Sequence, residues 1–379
     1  MKAGWETKTL GEVATLQRGF DLPTQDRVAG EFPLVSSSGI SDTHHKCAVR
    51  GPGVVTGRSG SISNVFFVEE DFWPLNTVLY VKDFHGNDPR FVFHLLKDFD
   101  LQRFASGTGV PTLNRNFVHD EAVSVPALPE QRRIVGILDE AFEGIATAKA
   151  NAEKNLQNTR ALFESHLQSV FTERGEGWEE KPLADLCDIK HGFAFKSEFF
   201  TDSGDYVLLT PGNFYESGGY RDRGEKQKYY SGEIPDGFVL SKGDLLVAMT
   251  EQAAGLLGSP VLIPESDKFL HNQRLGLVTK KPGVPWTNEF FFHVFNTHAV
   301  RKAIHDSASG VKVRHTSPTK IGDVVVFFPT SIAQQRAIVS TLTDLEAETT
   351  RLASIYQQKL AALDELKKSL LHQAFSGEL

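Results

Sequence analysis

The sequence predicts an α+β protein in which one plan occurs twice, with a mixed α+β domain followed each time by a long helix. Three observations support this fold class: an internal repeat, short strand-like runs within each copy, and two stretches of roughly 40 residues rich in helix formers. A repeat on this scale indicates two similar domains rather than one large core, in agreement with the length of 379 residues.

The internal repeat is visible at both ends of each copy. GWETKTLGEVATLQRGF from Gly4 aligns with GWEEKPLADLCDIKHGF from Gly177. Further along, VSVPALPEQRRIVGIL aligns with VVFFPTSIAQQRAIVSTL and pairs Gln131 with Gln335. Because the offset between the copies grows from 173 to 204 residues, the second copy is about 30 residues longer. We expect the extra residues between Gly192 and Asn272.

The strand-like runs are short β-branched or aromatic segments bounded by Gly, Pro, Asn and Ser, as is typical of strands. Two longer segments, from Pro89 and from Asn288, have helical spacing instead. Each copy is therefore predicted to be an α+β domain. The predicted strands are Val54-Val55, Val65 to Val68, Val78 to Val81, Val207 to Leu209, Asp244 to Val247 and Val261 to Ile263.

The two long helices are predicted over residues 129–174 and 332–379, which leaves residues 1–128 and 175–331 as the two domains. Apolar residues in both helices recur by alternating steps of four and three, the pattern of a coiled-coil seam. Small seam residues in the first helix match large ones in the second, which favours an intramolecular antiparallel coiled coil. Two alternatives are that each helix packs only on its own domain or forms a homodimer zipper. The predicted seams are Ile134, Leu138, Ala141, Ile145, Ala148, Ala152, Asn155, Thr159 and Leu162, and Ile338, Leu342, Leu345, Thr349, Leu352, Tyr356, Lys359, Leu363, Leu366 and Leu370.

The composition is that of an ordinary globular protein, with 40% hydrophobic and 23% charged residues. The formal net charge is −8, and a small acidic surplus occurs in each of the four predicted segments. This charge argues against a protein that holds nucleic acid by bulk electrostatics. Any DNA contact is therefore expected in local loops, or on partners that carry the positive charge.

The expected location is the cytoplasm, without membrane attachment. No apolar run approaches the roughly 20 residues that span a bilayer, and the start MKAGWETKTL lacks the apolar stretch of a signal peptide. The two cysteines, Cys47 and Cys187, suit a reducing compartment.

The motifs of several enzyme classes are missing from the sequence. There is no Pro-Pro for an amino-methyltransferase motif and no Gly-Lys for the phosphate loop of an NTPase. The glycines from Gly51 to Gly57 do not have the spacing of a dinucleotide-binding loop, and Pro235-Asp236 lacks the later acid and lysine of a nuclease site. The chain is therefore predicted to be non-catalytic.

Two short clusters in the sequence contain residue types that can bind a metal. His44, His45 and Cys47 lie close together in sequence, and Cys187 with His191 could add ligands. Since this spacing matches no familiar site, we expect no bound metal.

These parts together resemble the specificity subunit of type I restriction-modification systems. The resemblance rests on the order and duplication of five motifs and covers essentially the whole chain. One departure is that Ala333-Gln334 stands where the first junction has Pro129-Glu130, which makes the start of the second helix less certain. The motifs are PALPEQRRIVGIL from Pro126, PTSIAQQRAIV from Pro329, VTGRSGSI from Val55, LSKGDLLVAMT from Leu240 and LLHQAFSGEL from Leu370.

The resemblance implies two target recognition domains, each reading one half of a bipartite sequence in double-stranded DNA, held apart by two helices. It also implies two methyltransferase (modification) subunits and restriction/translocase subunits as partners. No cofactor is expected in this chain, because S-adenosylmethionine, ATP and Mg²⁺ would belong to the partner subunits.

Candidate DNA contacts in the first domain lie in glycine- and serine-rich loops. The loop at Gly57 offers Arg58, whose fork suits guanine or phosphate, together with Ser59 and Ser61; a tight turn with a solvated arginine is the alternative. The segment from Ser36 to Arg50 is a second candidate. The predicted contacts are Arg58, Ser59, Ser61, His44, His45, Lys46, Arg50 and Arg115.

Candidate contacts in the second domain concentrate in YESGGYRDRGEKQKYY, which starts at Tyr215 and interleaves basic and aromatic residues. Gly218-Gly219 predicts a hairpin tip, and a merely solvated hairpin is the alternative. The run from Gly310 aligns with Gly109-Val110-Pro111 and predicts phosphate contacts. The predicted contacts are Tyr220, Arg221, Arg223, Lys226, Lys228, Tyr229, Lys312, Arg314 and His315.

Two other functions stay open at this point. One is the specificity subunit of a different DNA methylation or phage-defence assembly, and the other is a coiled-coil scaffold with two protein-binding domains. Co-purification of methyltransferase subunits and partner-dependent DNA binding would separate the first from the second.

Overall fold

The computed structural model describes residues 4–107, 110–252 and 255–379. The chain divides into two compact units: unit 1 is Met1–Asn155 with Ile355–Leu379, and unit 2 is Leu156–Ser354. Within the described ranges, no helix has the length and apolar character needed to cross a membrane.

Unit 1 contains the first α+β domain and parts of both long helices. Its strands are β1 (Trp5–Thr9), β2 (Thr15–Arg18), β3 (Phe32–Ser36), β4 (Gly39–His44), β5 (Gly53–Gly57), β6 (Val65–Val68), β7 (Trp73–Pro74), β8 (Val78–Asp83), β9 (Ala105–Ser106), β10 (Thr112–Leu113) and β11 (Ala122–Pro126). Its helices are α1 (Leu10–Val13), α2 (Pro89–Asp98), α3 (Arg115–His119) and the first part of α4 (Leu128–Thr172).

Unit 2 contains the second domain. Its strands are β12 (Trp178–Pro182), β13 (Cys187–His191), β14 (Phe200–Thr201), β15 (Val207–Leu208), β16 (Tyr229–Tyr230), β17 (Leu245–Ala248), β18 (Thr250–Glu251), β19 (Pro260–Leu262), β20 (Phe269–Leu270), β21 (Leu275–Lys280), β22 (Arg314–His315) and β23 (Val325–Pro329). Its helices are α5 (Leu183–Leu186), α6 (Asn288–Asn296), α7 (His298–Ser307), α8 (Pro318–Gly322), the last part of α4 and the first part of α9 (Ile332–Ser376).

The two domains share one sheet topology, which confirms the repeat. A four-stranded sheet has the order β2-β8-β5-β6 in unit 1 and β13-β21-β17-β19 in unit 2. The ribbon β1-β11 pairs Trp5 with Pro126, and its counterpart β12-β23 pairs Trp178 with Pro329. A smaller sheet also occurs in each unit, as β4-β3-β7 and as β14-β16-β15-β20.

Most of the extra length of the second copy lies where it was expected. The isolated bridge Phe20 to Leu75 in unit 1 corresponds to the bridge Phe193 to Asn272 in unit 2. The second interval is 24 residues longer than the first. The six predicted strand-like runs coincide with β5, β6, β8, β15, β17 and β19.

The segment predicted as one helix from Asn288 forms two helices. Thr297 is extended, with φ −65° and ψ 144°, and its hydroxyl accepts a hydrogen bond from the amide of Val300 at 3.5 Å. This residue ends α6 and caps α7, since Thr is a favoured N-cap. In unit 1, Asp88 caps α2 in the same way and accepts bonds from the amides of Arg90 and Phe91.

Each long helix enters through a buried glutamine. The Gln131 side chain accepts from the Asp88 amide at 2.9 Å and donates to the carbonyl of Pro126 at 2.9 Å. The Gln335 side chain accepts from the Thr287 amide at 3.0 Å and donates to the carbonyl of Pro329 at 2.9 Å. Both helices therefore start at matching positions, and Ala333-Gln334 does not disturb the second start.

The long helices run antiparallel where they meet in unit 1. Lys149 Nζ lies 2.6 Å from Asp364 Oδ1, and Arg133 Nη2 donates to the Leu379 main-chain oxygen at 2.8 Å. Residue numbers on one helix thus fall as those on the other rise. Ile134 and Leu138 join Leu371 and Ala374 in the core of the domain, so the helix pair also packs on the sheet unit.

The predicted heptad seam is wrong in part. Ile134, Leu138, Ile145, Ala152 and Thr159 are buried as predicted, but Leu162 is 52% exposed and Leu366 is 47% exposed. The α-helix has 3.6 residues per turn, so a strict seven-residue seam drifts by about 20° per heptad. The buried positions shift accordingly to Leu167 in α4 and to Leu371 and Ala374 in α9.

Candidate nucleic-acid interface

The loop at Arg58 spans residues 58–64 and turns the chain from β5 into β6. A Cβ on Gly57 would lie 1.9 Å from the carbonyl oxygen of Ser61, and Gly60 has φ +84°, so the turn needs both glycines. The Arg58 amide donates to Thr77 O at 2.9 Å, and its carbonyl accepts from the Leu113 amide at 2.8 Å. The turn is therefore held at a fixed place on the edge of the sheet.

The side chains around Arg58 form a cluster of two arginines and one carboxylate, which we call the unit 1 face (Arg18, Asp21, Arg58, Asn76 and Thr77). Asp21 accepts two bonds from the Arg18 guanidinium, at 2.8 and 3.1 Å, and one from Asn76 Nδ2 at 2.5 Å. Arg18 first, and then Asn76, lower the pKa of Asp21. Arg58 Nη1 donates to Asn76 O at 3.3 Å. A carboxylate is thus fixed beside the arginines and offsets part of their charge.

A cavity of about 420 Å³ adjoins this face. Asp21, Asn76 and Thr77 line it together with Ser36, the first residue of the serine-rich candidate segment. The two candidate regions predicted in unit 1 therefore meet at one place.

In unit 1, the main-chain hydrogen bonds that join Arg58 to Thr77 and Leu113 form what we call the main-chain frame. Unit 2 repeats this frame with other side chains. The Met249 amide donates to Arg274 O at 3.0 Å, and the Thr316 amide donates to Met249 O at 3.0 Å. These bonds correspond to those that Arg58 makes with Thr77 and Leu113. Thr250 pairs with His315 where unit 1 pairs Ser59 with Thr112. Met249 thus occupies the position of Arg58, and Arg274 that of Thr77.

Two adjoining cavities, the unit 2 cavities, lie at this frame. The first has a volume of about 650 Å³ and the second about 480 Å³. Among the described residues that line them there are three Lys or Arg, two His and no Asp or Glu. Such a lining in a chain of net charge −8 is a local site for negative charge. The shared lining residues are Thr250, Arg274 and His315, the first cavity adds Arg223 and Lys228, and the second adds His191.

The alignment of the run from Gly310 with Gly109 is wrong by two residues. His315 pairs with Thr250 as Thr112 pairs with Ser59, so His315 corresponds to Thr112 and Gly310 corresponds to Gly107. Both have positive φ, +101° and +116°, which supports this register. Gly109 itself lies outside the described residues.

The predicted contacts in the segment from Ser36 to Arg50 divide by burial. His44 is only 3% exposed, its Nδ1 accepts from the Val28 amide at 3.1 Å, and its ring packs on Trp73. The prediction that His44 offers its ring to DNA does not fit this burial, since the ring is part of the core. The exposed members are His45, Lys46 and Arg50.

The segment from Tyr215 forms the predicted tip and then turns into the first cavity. Gly218 and Gly219 have φ +85° and +93°, and the bridge between Phe214 and Tyr220 closes the turn. Tyr220 packs on Phe269 with ring centroids 5.1 Å apart, and burial raises the pKa of Tyr220 to about 12. This packing makes Tyr220 a structural residue. Arg223 and Lys228 line the first cavity, Arg221 and Lys226 are exposed, and Tyr229 is half-buried in β16.

The remaining candidates also differ in their surroundings. Arg314 is half-buried, and its guanidinium donates to the carbonyl of His305 at 2.6 Å, so it braces α7 rather than facing solvent. Lys312 is exposed and His315 lines both cavities. Arg115 is exposed, with Nη1 3.5 Å from Leu16 O. Ser59 is half-buried and Ser61 exposed on the unit 1 face.

The considered metal ligands are engaged elsewhere. Cys47 Sγ lies 3.8 Å from Asp71 Oδ2, and the Cys187 thiol donates to Leu183 O at 3.4 Å. Burial raises the pKa of Cys187 to about 12, which disfavours the thiolate that binds metals. No group of three or more His, Cys, Asp or Glu suited to a metal occurs within residues 4–107, 110–252 and 255–379.

The sequence patterns missed Arg274 and the Asp21 cluster. Arg274 lies between strands β20 and β21 and is flanked directly by Gln273 and Leu275, so it forms no basic run. Only the alignment of Leu75-Asn76-Thr77 with Asn272-Gln273-Arg274 in the repeat would have indicated it, and that alignment depends on the length of the extra segment.

The family and the fold are supported by comparison with known proteins. The family model described as "Type I restriction modification DNA specificity domain" matches residues 2–157 and 175–361. The Methanocaldococcus jannaschii type I restriction enzyme MjaVIII specificity subunit is 21% identical over 99% of this chain and 93% of that protein. The Escherichia coli EcoBI specificity subunit is 26% identical over 58% of this chain and 43% of its own length, so that match spans less than half of the relative.

Two solved structures share the fold. A chain from a type I R-M system, studied for its complex assembly and conformational transition, has a TM-score of 0.78, 19% identity and coverage of 100% of this chain and 99% of that chain. The HsdS subunit from Thermoanaerobacter tengcongensis has a TM-score of 0.64 and 19% identity, with coverage of 100% and 98%. Since the family model matches most of the chain in two consecutive regions, the chain belongs to the family of type I restriction-modification DNA specificity domains.

Proposed function

We propose that the chain is the DNA-recognition subunit of a type I restriction-modification complex, in which each domain reads one half of a bipartite sequence. The observation that carries this proposal is the repeated main-chain frame at Arg58 and at Met249, which presents different side chains in the two units. A shared frame with different side chains suits two half-sites of different sequence, because side chains on base edges specify sequence.

The charge of the unit 2 cavities favours DNA over a protein-binding scaffold. Arg223 and Lys228 in their lining, without a carboxylate among the described lining residues, fit a phosphate backbone. The same charge fits the specificity subunit of another DNA methylation or phage-defence assembly, which differs only in its partner subunits.

We further propose that this subunit is non-catalytic and works in the cytoplasm. Chemistry on DNA then belongs to its partners: two methyltransferase subunits that use S-adenosylmethionine, and restriction/translocase subunits that use ATP and Mg²⁺. The net charge of −8 supports this division, because basic partner surfaces would complete the contact with DNA.

The long helices α4 and α9 are proposed to set the spacer between the half-sites and to dock the methyltransferase subunits. The helices leave Ile137, Leu162, Ile355 and Leu366 exposed, and docking of a partner would bury this apolar surface. Each domain would also keep a fixed angle to its helix through Gln131 or Gln335.

The proposal is tested by expressing the chain with the methyltransferase subunit of its own system in a host free of other adenine methylation. We expect co-purification and N6-methyladenine in one bipartite motif, and the methyltransferase expressed alone should give none. Methylation without a bipartite motif, or the same motif without this chain, would contradict the proposal.

A further inference from the structure

We infer that Arg274 is a specificity-determining residue of unit 2 and donates two hydrogen bonds to a guanine in the major groove. This inference rests on the proposed DNA-recognition function and names the side chain that performs it in the second domain. Arg274 was absent from the basic clusters found in the sequence.

The backbone of Arg274 is fixed on both sides. Its amide donates to Asn272 Oδ1 at 3.1 Å, and its carbonyl accepts from the Met249 amide at 3.0 Å. Asn272 is itself only 7% exposed, so the support is part of the folded core. A side chain that distinguishes bases needs such a fixed origin, because a guanidinium must meet two acceptors at once.

The side chain of Arg274 lies at the boundary between the unit 2 cavities, since it lines both. The residue is exposed, and its guanidinium has no hydrogen-bond or ion-pair partner among the described residues. Arg58, by contrast, donates to Asn76 O. The guanidinium of Arg274 therefore keeps its donors available for a ligand.

The neighbours of Arg274 separate two kinds of contact. Thr250 and His315 border both cavities beside it and offer a hydroxyl and an imidazole, hydrogen-bonding groups that suit base edges. Arg223 and Lys228 line the first cavity and suit phosphates. The cations suited to the DNA backbone, Arg223 and Lys228, therefore line only the first cavity. Arg274 lies beside Thr250 and His315, which suit base edges.

The repeat gives a second argument for a reading role. Arg58 and Arg274 lie on opposite sides of one equivalent main-chain hydrogen bond, in which Arg58 supplies the donor in unit 1 and Arg274 the acceptor in unit 2. Each unit thus brings one arginine to this frame, from the loop after β5 in unit 1 and from the residue before β21 in unit 2. Two domains that read different half-sites would place their arginine guanidinium groups differently.

The test uses the complex of the full chain with its methyltransferase subunits and the variants Arg274→Ala and Arg274→Gln. Binding is measured on duplexes in which each base pair of the motif is replaced in turn. The intact complex should prefer one G·C pair by roughly 5- to 150-fold. Both variants should lose this preference at that position only, with the other half-site unchanged. Methylation mapping should show the same relaxed position.

Lys302→Ala is the matched control, because Lys302 is an exposed cation of unit 2 outside both cavities and paired with Asp306. A uniform loss of affinity in the Arg274 variants with a shallower salt dependence would indicate a phosphate contact and overturn the inference. Unchanged binding, or failure of both variants to assemble, would also overturn it. If the intact complex has no bipartite motif, the proposed function fails instead.

Discussion

The unit 1 face and the unit 2 cavities are built on the same main-chain frame but differ in charge. In unit 1, Asp21 holds Arg18 and Asn76 beside Arg58. In unit 2, the position of Asp21 is Ala194, and the cavities there have no acidic side chain among the described lining residues. Hydrogen bonds between main-chain atoms therefore preserve the site, while the side chains that it carries change its ligand preference.

The junctions between domain and helix show the opposite behaviour. Gln131 and Gln335 are both buried and make equivalent bonds, although the residues just before them differ. A buried amide that serves several main-chain groups cannot be exchanged without leaving them unpaired. The junction between domain and helix is thus the same in both copies of the repeat. The side chains of the unit 1 face and of the unit 2 cavities differ between them.

The largest predicted effect is at these junctions. Gln335→Leu leaves the Thr287 amide and the carbonyls of Pro285 and Pro329 without their partner. We expect a loss of about 3 to 5 kcal/mol in the free energy of unfolding, measured in urea, because each unpaired buried group costs 1 to 3 kcal/mol. Gln131→Leu should lose a similar amount.

Gln357→Leu is the control for this experiment, since Gln357 is exposed on α9. We expect a change within about 0.5 kcal/mol for it. If either junction variant were as stable as this control, the junctions would not be equivalent supports.

The next largest predicted effect is on the pH dependence of the free energy of unfolding. It concerns two buried histidines at matching helix positions, His293 and His94. Burial lowers the pKa of His293 to about 4, whereas the carboxylate of Asp139, 2.9 Å from His94 Nε2, opposes the lowering caused by burial at His94. A histidine with a lowered pKa stabilises the fold fully above its unfolded pKa near 6.5, and this contribution is lost as the pH falls toward 4. His293→Phe should therefore reduce the loss of unfolding free energy between pH 7 and pH 5 by about 2 kcal/mol.

His94→Phe should change the same pH dependence by less, because Asp139 favours the protonated ring. Urea unfolding at the two pH values measures both variants. An equal or larger effect at His94 would contradict the assignment of this acid sensitivity to His293.

The smallest predicted effect transfers the unit 1 carboxylate to unit 2. Ala194 lines the second cavity with Arg274 and is exposed. Ala194→Asp should weaken binding of the complex to its DNA motif about tenfold, which corresponds to 1.4 kcal/mol, because the new carboxylate attracts the cations and repels phosphate. Ala194→Asn, of similar size but neutral, should bind like the parent chain. Equal affinities of the two variants would show that charge at this face does not govern binding.

The sequence predicts the architecture correctly where a residue must be buried or must pair with main-chain groups. The repeat is clear at Trp5 and Trp178 and at Gln131 and Gln335, because these residues occupy structurally equivalent positions in both copies. Its register failed at Gly310, where a loop between short strands tolerates a shift of two residues. The heptad pattern likewise failed at Leu162, because helix geometry rather than sequence period decides the buried face.

The site was harder to predict than the fold. Local patterns found Arg58, Arg223 and Lys228, which the structure places at the two faces. They also selected His44, whose ring is buried in the core, and Tyr220, whose half-buried ring packs on Phe269. Composition cannot separate a polar ring that faces solvent from one that fills a core, and an isolated arginine such as Arg274 becomes informative only when strands distant in sequence are brought together.

The central claim is that the two units read their half-sites independently. It is tested most directly by replacing residues 1–128 with the corresponding domain of a relative that recognises another sequence, and mapping the methylated motif of the complex. We predict that one half of the motif changes to that of the relative while the other half stays the same. A motif that changes in both halves, or in neither, would contradict it.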